Sequence, residues 1–195
     1  LRNLAREWTS MGRFELADVL LAQLVAKEPG SARHVRIWAE NALYEGRRDV
    51  ALDRVLAARN GCCPKDHALL LMHAQLLLSE GQDLSDSGLL AESRELLNEL
   101  LDWGCSPYRA NIARIALATL DLNDALGLLT TELDVAVEKL GELIDSVQLL
   151  SGEIRDLRTR SDALLLCGRA MACRAEVMQV MGQDHTSMAE LALEN

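Results

Sequence analysis

The densest cluster of side chains that could do chemistry is Cys62, Cys63, His67 and His73. Thiolates and imidazoles are ligands that zinc favours, and four of them would complete a tetrahedral shell. The spacing matches no common zinc scheme, however, and adjacent cysteines rarely both ligate one ion. The expected reading is a loop carrying thiols, with no metal. His34 and His185 have no evident partner in the sequence. The phosphate-cradling GxxxxGK[ST] pattern is absent, as are GxGxxG, HExxH, CxxC and GxSxG. Carboxylates are plentiful but fall on helix faces, where such charge is ordinarily solvated. No catalytic residue, cofactor or metal site is therefore expected, and the chain is not read as an enzyme.

Composition narrows the class further. The 195 residues are 49% hydrophobic and only 3% aromatic, with 12 Gly and 3 Pro. Leu and Ala dominate, which suits helices and not strands, and no alternating β-branched run lies between turn signals. The fold class expected is all-α. A formal net charge of −10 repels phosphate backbones, so nucleic acid is not expected as a partner. No apolar run reaches the length of a membrane span; "ALLLMHAQLLL" is too short and flanked by polar residues. An odd count of 5 Cys without framework spacing favours a reducing compartment, and a cytoplasmic location is expected. The chain opens at Leu1 and reads as a processed or excised piece.

The elements that must position any site emerge from an internal period. "GRFELA" at 12–17 recurs as "GRRDVA" at 46–51, and Gly81 follows 35 residues after Gly46. Ala5, Ala39 and Ala74 each stand seven residues before one of these glycines, and Pro29 and Pro64 close the first two units. Each unit reads as a helical hairpin. Apolar residues at three- and four-residue spacing run up to a Gly able to take the left-handed conformation that ends a helix. A second amphipathic run follows, and Pro shuts it. The small residues Ala5 with Ala17, and Ala39 with Ala51, allow paired helices to approach closely.

This pattern resembles the tetratricopeptide repeat in period, Gly-to-Ala interval and closing Pro, with Trp8 where that family often has Tyr. The resemblance covers residues 1–105, as units 1–31, 32–65 and 66–105. Pro64 arrives one residue late, and the third unit carries "DLSDSGLLAES", expected as an inserted exposed loop near 82–90. The resemblance implies a right-handed array whose first helices line a groove for a peptide or protein segment. Carried onto this chain, the groove residues are Arg2, Asn3, Arg6, Arg33, Arg36, Ile37, Glu40, Tyr44, Leu71, Met72 and Gln75. Four arginines on one inner surface would attract an acidic segment. The Lys/Asn clamp of chaperone-tail binders is not reproduced.

Beyond residue 105 the rhythm changes, giving a segment 106–182 and a tail at 183–195. Ser106 and Pro107 suit a helix start, and "DLNDALGLL" is expected to open a second helix. From Leu126 to Met178 a seven-residue repeat places Leu133, Leu140, Val147, Ile154, Leu157 and Leu164 on one seam, as in a coiled coil or bundle. An unbroken phase favours one long helix. A plausible break at Ser151–Gly152, with an acidic stretch before and a basic one after, favours an antiparallel hairpin. Both options stay open.

The functional expectation is a non-enzymatic adaptor that binds a protein or peptide in the groove and uses its C-terminal helices for dimerisation or docking. A secretion-type chaperone holding an aggregation-prone client is the first rival. A regulatory fragment of a larger signalling protein or enzyme is the second.

Overall fold

A computed structural model describes the backbone of residues 1–193 and the side chains through residue 182. All regular structure among the described residues is helical. The chain divides between Arg109 and Ala110 into two compact units.

The first unit contains α1 (Arg2–Ser10), α2 (Phe14–Lys27), α3 (Ala32–Tyr44), α4 (Arg48–Asn60), α5 (His67–Leu84) and α6 (Ser87–Asp102). These pair as three hairpins, α1 with α2, α3 with α4 and α5 with α6, while α3 also packs on α1 and on α5. Ala5 and Ala17 are both fully buried, in one cluster with Leu21 and Ile37. Ala39 and Ala51 do the same in the next cluster, with Val55, Leu69 and Met72. Small residues at the crossings let the helices close, and each enclosed Leu then contributes about 2 kcal/mol of hydrophobic burial.

The hairpin turns follow one rule with one substitution of residue type. Gly12 and Gly46 sit at φ 73° and 85°, and the next residue's N–H closes back on the helix, Arg13 to Trp8 O and Arg47 to Ala42 O, both at 2.8 Å. In the third hairpin Gly81 is buried inside α5, and Ser85 takes the left-handed slot at φ 54°. Asp86 N–H closes on Gly81 O at 2.9 Å, the same geometry one helical turn later.

The loop expected near 82–90 is therefore corrected: residues up to Leu84 extend α5, and Ser87 onward is α6. The polar residues that suggested a loop are cap chemistry. Asp86 Oδ1 accepts from Gly88 N at 2.8 Å and Leu89 N at 3.2 Å, as an N-cap does. A Cβ at position 81 would lie 2.8 Å from Leu90 Cδ2, so Gly81 serves helix contact and not the turn.

The second unit begins within α7 (Pro107–Gly127) and continues with a single 3-10 turn (Leu128–Thr130), α8 (Leu133–Glu153) and α9 (Leu157–Leu193). "DLNDALGLL" opens no new helix; α7 runs through it because no Gly, Pro or cap interrupts before Gly127. α8 and α9 pack as an antiparallel hairpin, which excludes the single long helix. The break comes later than Ser151–Gly152, both of which lie within α8. Ile154 is extended at ψ 120°, and Asp156 Oδ2 accepts from Thr159 N at 2.8 Å and Thr159 Oγ1 at 2.6 Å. Those bonds cap α9 and hold the Asp156 carboxyl below its usual range.

The break also resets the helical phase. Leu140, Val147 and Ile154 are buried with Ala163, Leu166, Cys167 and Ala170, while Leu133 is half-buried. Leu157 and Leu164, expected on the same seam, are instead 82% and 51% exposed. Three non-helical residues turn α9 so that another face meets α8. The backbone of 183–193 belongs to α9; the side chains of the expected tail at 183–195 lie outside the described residues.

Candidate functional site

A cleft opens between α1 and α3. Its volume is about 500 Å³, and it is lined by Arg6, Thr9, Ser10, Gly12, Phe14, Ile37, Glu40, Asn41 and Tyr44. Arg6, Ile37, Glu40 and Tyr44 belong to the predicted set; the other predicted residues do not line it. Arg2 is half-buried, and Asn3, Arg33 and Gln75 are exposed away from the cleft. Arg36 is occupied by Glu40, one helical turn on, at 3.1 Å. Leu71 and Met72 are buried, at 7% and 9% exposure, which corrects their placement on an open groove. The α5 stretch "ALLLMHAQLLL" is apolar nearly all round, and such a helix is enclosed.

The cleft stands on a polar network that sequence reasoning missed. Asn41 is fully buried; its Nδ2 donates to Phe14 O at 3.0 Å and its Oδ1 accepts from Thr9 Oγ1 at 2.7 Å. Asp18 Oδ1 accepts from Trp38 Nε1 at 3.0 Å and pairs with Arg54 Nη2 at 2.8 Å. Arg54 stacks over the Trp38 ring at 4.0 Å and donates to Trp38 O at 2.8 Å. Burial pulls the Arg54 guanidinium below its ordinary value, and the Asp18 carboxylate opposes that pull. The network ties α1, α2, α3 and α4 together beneath the cleft, fixing the backbone that presents Arg6 and Tyr44. The one available sequence signal was an Asn between Ala39 and Ala42 on the buried side of α3.

Above this base the cleft offers contrasting surfaces. Tyr44 is 72% exposed and Phe14 half-buried, giving aromatic area next to the exposed Arg6. Arg6 makes no ion pair among the described residues. Glu40, already paired with Arg36, leaves the Arg6 charge uncancelled within the cleft.

The metal-like cluster does not assemble. His73 is buried, and its Nδ1 receives Arg59 Nη1 at 2.5 Å, while His67 packs against Trp103 with ring centroids 6.0 Å apart. No group of three His, Cys, Asp or Glu residues able to hold a metal occurs among the described residues. No described helix is long and apolar enough to cross a membrane.

No family model matches the chain, and no curated protein does. Among solved structures it is similar to the nearly identical TPR-like repeats of a Podosopora anserina protein described as a kinesin light chain. That match has a TM-score of 0.55 and 19% identity, over 97% of this chain and 94% of that one. A single-substitution form of the same repeats matches with a TM-score of 0.56 and 18% identity, over 98% and 94%. The fold is tetratricopeptide-like. The similarity extends over 97–98% of the chain, past residue 105.

Proposed function

We propose that this chain is a non-enzymatic interaction scaffold that holds an acidic peptide segment in the cleft between α1 and α3. The observation that carries the reading is the unpaired Arg6 beside the exposed Tyr44, over a buried network that keeps both in place. Arg6 supplies a fork for a carboxylate, and Tyr44 with Phe14 supplies area for an apolar neighbour. A volume of about 500 Å³ is the size of a site for a few side chains. Binding of the reduced full chain to an array of acidic–aromatic peptides tests this. Arg6→Glu and Tyr44→Ala are each expected to weaken the best binders about tenfold or more. Arg33→Glu, outside the cleft, should leave them unchanged. Equal binding by all three variants overturns the assignment.

A second surface supports the dimerisation arm of the same reading. α9 exposes Leu157, Leu164, Leu165, Met171 and Met178, with Gly168 at the middle facing open space. The occupant favoured is a second copy, paired antiparallel across a two-fold axis at Gly168. Arg158 lies ten residues before Gly168 and Glu176 eight after it, and both are exposed. At 100° per residue, both fall about 80° round from Gly168 on the same flank. Their offsets along the helix are about 15 and 12 Å, so the two-fold brings each Arg158 opposite the partner's Glu176.

A further inference from the structure

The turn between α4 and α5 carries two adjacent thiols whose sulfurs lie 3.5 Å apart. Neighbouring side chains diverge by about 100° on a helix and about 180° on a strand, so such closeness requires a turn. Here Gly61 and Pro64 flank the pair and bend the chain. Cys62 is exposed, and Cys63 is buried with its Sγ donating to Gly30 O at 3.4 Å.

We infer that Cys62 and Cys63 form a chelating dithiol that captures a trivalent thiophilic metalloid, with arsenic(III) as the type ligand. Two sulfurs held about 2.3 Å from a tetrahedral zinc ion sit about 3.8 Å apart. The observed 3.5 Å subtends a narrower angle, about 100° at the same bond length, which suits a pyramidal centre bearing a lone pair. Zinc would also need two further protein ligands, and no group of three candidate ligands exists among the described residues. A monosubstituted arsenic(III) needs only two sulfurs.

The chemistry is a condensation without redox change. With an arsine oxide, both S–H bonds and the arsenic–oxygen bond break and two arsenic–sulfur bonds form. The oxygen leaves with both protons as one water, and arsenic stays trivalent. Exposed Cys62 reacts first. Burial pushes the Cys63 thiol up to about 11, so it enters as a neutral S–H once the centre is already tethered beside it. Ring closure removes the proton that Cys63 shares with Gly30 O, releasing the α4–α5 turn from the α2–α3 turn.

The probe is phenylarsine oxide, titrated into the reduced full chain and read by native mass spectrometry. One adduct per chain is expected, stable to excess monothiol and stripped by a small dithiol. C62S and C63S should each weaken capture about a hundredfold, the gain that a second tethered ligand typically confers. C105S and C167S should leave it unchanged. Should C63S fail to fold, C62S at the exposed position decides alone. Monothiol-resistant capture that persists in C62S, or that never forms on the native chain, overturns the assignment.

Discussion

His73 shows how a buried residue can bear on stability while taking no part in binding. It is 3% exposed and accepts from Arg59, so its imidazole must stay neutral, and burial together with the Arg59 charge holds its pKa down at about 4. The unfolded chain takes up a proton near pH 6.5, and the folded chain does so only near 4. The contribution is therefore complete above pH 6.5 and lost as pH falls through that window. Chemical denaturation at pH 7 and pH 4.5 should show a loss of about 2 kcal/mol from this group. His73→Gln should flatten that part of the profile, and an unaltered slope would refute the contribution. His73, with Cys62, Cys63 and His67, was visible in the sequence as potential chemistry. Its fate was not, because which neighbour a helical residue meets depends on the α4–α5–α6 packing.

At the scale of elements, the third turn offers a direct test. Ser85 occupies a left-handed slot that the first two hairpins give to glycine, at a cost an L-residue pays and Gly does not. Ser85→Gly is expected to raise stability by about 0.5–1 kcal/mol, read as a higher denaturation midpoint at an unchanged slope. A fall would mean that the Ser side chain contributes more than its backbone strain costs. The same turn explains what could be read in advance. Gly12 and Gly46 announced their hairpins because residue type and backbone need coincide there. Gly81 misled because its missing Cβ serves the approach of Leu90, while a serine makes the turn. Of the residues that the tetratricopeptide resemblance implied, Arg6, Ile37, Glu40 and Tyr44 line the cleft. Thr9, Phe14 and Asn41 were not implied, since their roles arise from hydrogen bonds across three helices.

For the whole molecule, the proposed two-fold pairing of α9 makes association the decisive measurement. Sedimentation equilibrium of the full chain is expected to show a dimer, with Leu164→Asp and Met171→Asp giving a folded monomer of unchanged helicity. R158E should weaken association about tenfold, two rim ion pairs becoming repulsive, and R158E combined with E176R should restore it. A monomer at high micromolar concentration, or a stoichiometric client seated on the same face, would overturn the self-pairing. Either way the exposed stripe exists because α9 restarted its phase, not because apolar residues ran out of core to enter.

That restart has a consequence for how this part of the chain tolerates change. Ile154, Arg155 and Asp156 are non-helical, so the phase of α9 is set afresh from Leu157 by its own packing and is not inherited from α8. Losing or gaining one residue there would change the reach of the link, whereas the same change inside α9 would rotate everything downstream by about 100° and exchange the lining of the core for the outer stripe. Substitutions within the link alter a cap or a contact. An insertion or deletion within α9 turns the rest of the helix inside out, so length variation is expected to be tolerated in the link and excluded from α9 itself.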